Sequence, residues 1–303
     1  MNILLRADSS STIGTGHIMR DLVLATQYKD ANIIFATQDL HGNINHKIEE
    51  AGYKRETLHS NNIDEVINLI KLYSIDMIVI DHYGIDYRYE KELKTNYPTL
   101  QIMSFDDTYE RHDCDILLNH NISANKKRYK ELVPKNCELR CGGRYTLLRD
   151  EFYTEKKKKR KKETSFTTVF IAMGGADTAN LNIRILKVLR KFKNIKVDLL
   201  TTTANKNLNE LKKYCKNKKW IALHVNSNQV AKLMKKSDFA VVTPSVTVNE
   251  VYFMKLPFIA IKTAENQDDM YRYLKREKYS VLDQFDKNKF ASKADKLLRV
   301  VKK

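Results

Sequence analysis

The chain has 303 residues, 42% of them hydrophobic, enough for two domains of ordinary size that each bury a core. That composition excludes a disordered chain and a membrane-embedded one. The formal net charge of +17 suits an anionic ligand, nucleic acid or a membrane surface alike, and much of the excess is lysine scattered on helices with apolar opposite faces. No RRM, KH or helix-turn-helix signature accompanies it, so no nucleic-acid partner is expected.

No stretch approaches the roughly 20 apolar residues of a spanning helix. Arg6 interrupts the first apolar run too early for a secretory leader, so a cytoplasmic protein with no membrane partner is expected. Cys114, Cys137, Cys141 and Cys215 are few for this length. Cys137 and Cys141 have the spacing of a ligand pair, but no second pair follows at zinc spacing, and buried free thiols are expected.

Taken in order, strand-like and helix-like segments alternate from the start. A buried strand over 2–6 leads to a helix over 17–28, with Ile18, Leu22, Ala25 and Tyr28 near one face. A strand over 33–37, helices over 44–51 and 64–73, and a short apolar strand over 77–80 follow. A helix over 90–95 and strands over 102–105 and 116–118 complete the first half. Residues 155–163 then read Glu-Lys-Lys-Lys-Lys-Arg-Lys-Lys-Glu. No core-facing strand can hold that run, so 155–165 is expected to be a solvated basic linker. It would separate an N-terminal domain over 1–154 from a C-terminal domain over 166–303.

After the run the alternation restarts. Strands are expected over 168–173, 197–202, 220–224, 239–243 and 258–261. Helices are expected over 180–191, 208–215, 230–235, 247–254 and 268–276. Such alternation means right-handed βαβ units and parallel sheets. The expected fold class is α/β, with two Rossmann-like domains facing across a cleft.

Open parallel sheets bind ligands beyond the carboxyl ends of their strands, which selects the segments after each strand. Gly14 and Gly16 follow the first strand and would let the backbone turn sharply and approach a ligand. His17 then opens a helix, whose positive end disfavours imidazolium and so favours the form a general base needs. Ala172-Met-Gly-Gly-Ala-Asp-Thr178 opens the second half. Its Gly174 and Gly175, with the following helix start, suit one diphosphate and lack both the dinucleotide and the P-loop pattern.

Thr243-Pro-Ser-Val-Thr-Val-Asn-Glu250 offers Ser245 and Thr247 to a phosphate or as helix caps. Asn249 and Glu250 lie one turn further, where a carboxylate could accept from ribose hydroxyls. The amides of Asn266 and Gln267 suit sugar hydroxyls and N-acetyl groups, or a helix cap. Asp81, His82, Tyr83, Asp106 and Asp107 end two strands of the first half. They are candidates to orient His17 or hold a sugar, and the adjacent aspartates raise a divalent metal as a weaker option.

These segments match a known family in order from residue 1 to about residue 277. The turn SSSTIGTGHIMRDLVLA, then IDHYG, SFDD, CDILLN, RCGGRYTLLRDEF, MGGAD and VNE closely resemble the PseG family. These are the UDP-2,4-diacetamido-2,4,6-trideoxy-β-L-altropyranose hydrolases of pseudaminic acid biosynthesis. The resemblance implies a GT-B-like fold, as in MurG glycosyltransferases. It implies a monomeric hydrolase of a UDP-sugar, with inversion and without a metal or cofactor, supplying flagellin glycosylation. His17 would be the catalytic residue and Gly174 and Gly175 would face the diphosphate. Ser245 and Val246 would lie beside it and Glu250 would hold the ribose. Asn266 would reach the sugar, with Tyr83 and Arg149 nearby. Ala176 and Thr243-Pro244 depart from the family pattern at the phosphate contacts. The alternative on the same fold is a glycosyltransferase using a UDP-sugar donor, with His17 deprotonating an acceptor hydroxyl.

Overall fold

The computed structural model describes residues 1–160 and 165–301. The chain divides into two compact units, residues 1–147 and 148–303. The first contains β1 (Asn2–Ala7), α1 (Gly16–Ala25), β2 (Asn32–Gln38), α2 (His46–Glu50), β3 (Lys54–Leu58) and α3 (Ile63–Tyr73). It continues with β4 (Met77–Asp81), α4 (Tyr87–Asn96), β5 (Gln101–Phe105), β6 (Ile116–Asn119) and β7 (Glu138–Cys141). Its seven-stranded sheet has the order β3-β2-β1-β4-β5-β6-β7, and every pair is parallel.

The second unit contains α5 (Asp150–Lys157), β8 (Thr167–Ala172), α6 (Asn182–Leu189), β9 (Ile195–Thr201), α7 (Leu208–Cys215), β10 (Ile221–Val225) and α8 (Val230–Lys236). It ends with β11 (Phe239–Val242), α9 (Val246–Phe253), β12 (Phe258–Ile261), α10 (Asp268–Arg276), β13 (Ser280–Leu282) and α11 (Lys287–Val301). Its six-stranded parallel sheet has the order β10-β9-β8-β11-β12-β13. Both orders reverse direction beside the first strand, as in Rossmann sheets, and ligands bind at that reversal. The reversal lies between β1 and β4 in the first unit and between β8 and β11 in the second.

Central strands are apolar on both faces because helices cover both. In β1, Leu4 packs into the core on one face while Ile3, Leu5 and Ala7 pack into the core on the other, the two-residue alternation of a pleat. Three strands escape sequence patterning, and all three are edges: β3 (Lys-Arg-Glu-Thr-Leu), β7 (Glu-Leu-Arg-Cys) and the short β13. An edge strand needs only one partner and is half exposed, so β3 and β7 tolerate charge, and β13 has only three residues.

The unit boundary falls ahead of the expected 154/155, because α5 belongs to the second unit. Glu151 Oε2 accepts from the Ala231 N–H at the start of α8 (3.1 Å), and the Tyr153 ring meets Phe253 at 5.0 Å. The start of the expected linker is therefore helical, to Lys157. Arg160 is not simply solvated: it donates to Asp238 (2.6 Å), whose other oxygen accepts from Thr168 N–H in β8 (2.8 Å). The rest of the basic run, 161 and 162, lies outside the described residues. All four cysteines are free thiols, with Cys114 buried and the others partly so. Among the described residues, no helix is long and apolar enough to cross a membrane.

Candidate active site

In the first unit the chemistry gathers at the β1/β4 reversal. Ser10 and Gly14 exchange backbone bonds (3.2 and 2.9 Å), and Ser10 Oγ accepts from the N–H groups of Thr12 and Ile13 (3.1 and 2.9 Å). This closes the loop into a tight turn that delivers the chain to α1. Gly14 has φ +89°, a conformation in which a side chain is strained. Gly16 needs no such freedom, contrary to the expectation that both glycines make the turn. A Cβ there would meet nothing within 4 Å, so Gly16 leaves bare backbone at the helix start.

His17 is buried, and its Nδ1 lies 2.7 Å from Asp81 Oδ1 at the end of β4. An ionised carboxylate only accepts, so Nδ1 carries a proton and Nε2 is the nitrogen whose lone pair the neutral ring would offer. Burial alone would push the Asp81 carboxyl up. The Arg20 guanidinium, contacting both carboxylate oxygens (Nε to Oδ2, 2.5 Å), outweighs burial and holds the carboxyl well below the usual range. Arg20 Nη1 also reaches Asp107 Oδ2 (3.7 Å), and Asp107 Oδ1 accepts from the Tyr83 hydroxyl (3.0 Å). The Tyr83 ring meets the His17 imidazole edge-on at 5.0 Å, yet Tyr83 is 65% exposed. A large exposed aromatic beside a buried histidine is a candidate ligand surface.

Two buried groups complete the corner. Asp21 has no hydrogen-bond partner on either oxygen, and burial together with the Asp81 charge pushes its carboxyl well up. His120, just after β6, is pushed down to about 3 by burial and then by Arg20, so it is neutral. Other strand-end candidates are structural. Asp106 accepts from the N–H groups of Thr108, Tyr109 and Glu110 and so caps a turn. His82 Nε2 pairs with Asp8 (3.1 Å) while its Nδ1 accepts from Gly84 N–H (2.9 Å). The adjacent aspartates thus diverge. Among the described residues no three His, Cys, Asp or Glu side chains are grouped to hold a metal ion.

In the second unit the β8/β11 reversal is built from backbone and hydroxyls. Gly174 has φ +76°. Gly175 is held against the end of β9: its carbonyl accepts from Thr202 N–H (3.0 Å), Thr202 Oγ1 (3.0 Å) and Thr201 Oγ1 (3.1 Å). A Cβ on Gly175 would lie 2.8 Å from Thr202 Cγ2. The following helix start is not free, contrary to expectation. Asp177 accepts from Leu181 and Asn182 N–H (2.8 and 3.0 Å) and caps α6 itself. The uncapped end is that of α9, where Ser245 makes no side-chain cap bond and instead meets Thr243 Oγ1 at 3.0 Å. Val246, beside it, is 41% exposed.

Glu250, one turn into α9, is mostly buried, and its Oε1 lies 3.6 Å from Arg149 Nη2. Burial pushes its carboxyl up to about 7 against the pull of Arg149. Arg149 also pairs with Glu151 (2.9 Å), so it joins Glu250 within the second unit. Asn249 is 1% exposed and offers no surface to a ligand, a correction to its expected contact. Gln267 spends its side-chain oxygen on Thr263 N–H (2.8 Å) and clamps its own loop. Asn266 is exposed beside it. Patterning missed Arg20, Asp21 and His120. Arg20 and Asp21 were findable, since spacings of three and four from His17 put them on one helix face. His120 carried no local signal.

Two α/β units with Rossmann sheet order, one presenting a carboxylate-held histidine and the other a glycine loop, define a protein of the GT-B fold. Solved structures agree on that fold. Acinetobacter baumannii MurG matches with a TM-score of 0.67 at 9% identity, covering 99% of this chain and 92% of that one. The spinosyn rhamnosyltransferase SpnG matches with a TM-score of 0.71 at 11% identity and the same coverage. No family model matches the chain. The UDP-2,4-diacetamido-2,4,6-trideoxy-β-L-altropyranose hydrolase of Campylobacter jejuni subsp. jejuni serotype O:2 is 43% identical over 281 residues, 93% of this chain and 98% of the relative. The uncharacterized protein MJ1062 of Methanocaldococcus jannaschii is 30% identical over 91% of this chain and 59% of its own length. The chain belongs to the family of that hydrolase and is an enzyme.

Proposed function

We propose that this enzyme hydrolyses UDP-2,4-diacetamido-2,4,6-trideoxy-β-L-altropyranose in pseudaminic acid biosynthesis. The observation that carries the chemistry is the His17–Asp81 pair at 2.7 Å, which leaves Nε2 to act as a base. In this reading Nε2 removes a proton from water while the water oxygen attacks the anomeric carbon. The bond from that carbon to the diphosphate oxygen breaks on the opposite face. UDP departs with the electron pair, and the sugar leaves with inverted configuration. A general base of this kind contributes about 10²–10⁴-fold. Fixed backbone dipoles are the economical way to stabilise a departing diphosphate. The uncapped start of α9 and the turn at Gly174 and Gly175 supply them, so the step is written without a metal.

Ser245 and Val246 would flank the diphosphate and Glu250 would accept from the ribose hydroxyls. Tyr83 and Asn266 would meet the sugar. Arg149 would act through Glu250, by setting its charge. The reading extends to a monomer working in the cytoplasm and supplying flagellin glycosylation. The test is to incubate the pure protein with the UDP-sugar alone and follow UDP by chromatography. UDP release without an acceptor is expected. Release only after an acceptor sugar is added would replace the hydrolase with a glycosyltransferase.

A further inference from the structure

We propose that Arg20 is a positioning residue that keeps the His17–Asp81 pair from locking as a buried ion pair and, through Asp107, ties Tyr83 to the same corner. The proposal rests on reading His17 as the base. Asp81 is 1% exposed. A carboxylate that deep, facing one imidazole and nothing else, would relieve its unpaired charge by keeping the ring protonated. An imidazolium cannot take a proton from water. Arg20 removes that demand.

The geometry is specific. Nε and Nη2 of Arg20 engage the two Asp81 oxygens as a fork, which a lysine ammonium cannot reproduce. Nη2 also lies 3.2 Å from His17 Nδ1, because both reach for Oδ1. A cation so close opposes a second positive charge on the ring. The guanidinium is held by stacking over Phe105, 4.8 Å from the ring centre. Its remaining arm points to Asp107, which holds the Tyr83 hydroxyl. The base and the aromatic wall beside it therefore share one tether.

The other titratable groups facing this pair do not replace Arg20. Asp21, from the same helix, is a carboxyl pushed up by burial and by the Asp81 charge, and supplies no cation. His120, from the end of β6, is neutral. Tyr83 donates its hydroxyl to Asp107, whose charge favours the phenol form. Among these, Arg20 is the permanent cation.

The test compares Arg20→Met and Arg20→Lys with the unmodified full-length enzyme. For Arg20→Met, kcat should fall about 10²-fold near neutral pH, with a smaller rise in KM as Tyr83 loses its tether. The acidic limb of the kcat/KM profile should move up by about two pH units, so that activity returns in alkali. Arg20→Lys, which keeps charge but loses the fork, should shift the limb in the same direction by less. Nitrogen NMR of His17 gives a readout independent of turnover. It should show a neutral Nδ1–H ring at about pH 8 in the unmodified enzyme and a protonated ring in Arg20→Met. An equal loss at every pH, or the same neutral ring in both proteins, would overturn the proposal. Should Arg20→Met fail to fold, the limb of Arg20→Lys decides, and an unmoved limb counts against it. If His17→Asn retains turnover, the base reading itself fails, and the NMR comparison still reads what Arg20 does to the ring.

Discussion

The two sheet reversals have the same strand order and opposite chemistry. Between β1 and β4 the crevice holds ionisable side chains that engage one another: His17, Asp81, Arg20, Asp107 and Tyr83. Between β8 and β11 it holds glycine backbone, hydroxyls and an uncapped helix start, with Glu250 and Arg149 one turn away. The lesson is that topology fixes where a site sits, and residue type decides whether the site does chemistry or binds. Preorganised charges serve proton transfer. Backbone N–H groups serve an anion whose charge is already present.

The strongest way to break this division is at His17. His17→Asn should lower turnover by about 10²–10⁴-fold and leave UDP affinity, read by calorimetry, nearly unchanged. A parallel loss of UDP affinity would mean the first unit binds the nucleotide as well. The converse substitution is Gly175→Ala, whose Cβ would fall 2.8 Å from Thr202 and force the loop off β9. UDP affinity should fall by about tenfold or more, roughly 1.4 kcal/mol, and kcat should fall far less than in His17→Asn, by the share of the departing charge that the loop carries.

How much of this was legible in the residues depends on burial. The central strands announce themselves as continuous apolar runs because both faces are covered. The edges β3, β7 and β13 do not, since one partner suffices, β3 and β7 tolerate charge, and β13 has only three residues. The placement of His17 and Glu250 was legible because each follows a strand on the ligand edge. The Arg20 tether was only half legible. Helical spacing puts Arg20 beside His17, but its partners are Asp81, at the end of β4, and Asp107, just past β5, and sheet order alone brings them together. The Asp177 cap was missed because Met-Gly-Gly-Ala-Asp reads equally as an anion loop and as a helix cap.

A smaller effect sharpens the binding side. The Glu250 carboxyl is pushed up to about 7, and a ribose hydroxyl donates to the ionised form. UDP should therefore bind about tenfold more tightly at about pH 8 than at about pH 6, because the ionised fraction rises through that window. Glu250→Gln should flatten the dependence. The smallest effect belongs to Gly16. Since a Cβ there meets nothing and Ala favours a helix, Gly16→Ala should change stability by less than about 1 kcal/mol. Any loss of turnover in that stable variant would then report a ligand lying on the bare helix start.

The central claim is that His17 delivers water to the anomeric carbon. Hydrolysis in water labelled with heavy oxygen, with mass analysis of both products, tests it most directly. The label should appear in the released sugar and not in UDP. Label in the UDP phosphate would place the attack at phosphorus and contradict the account.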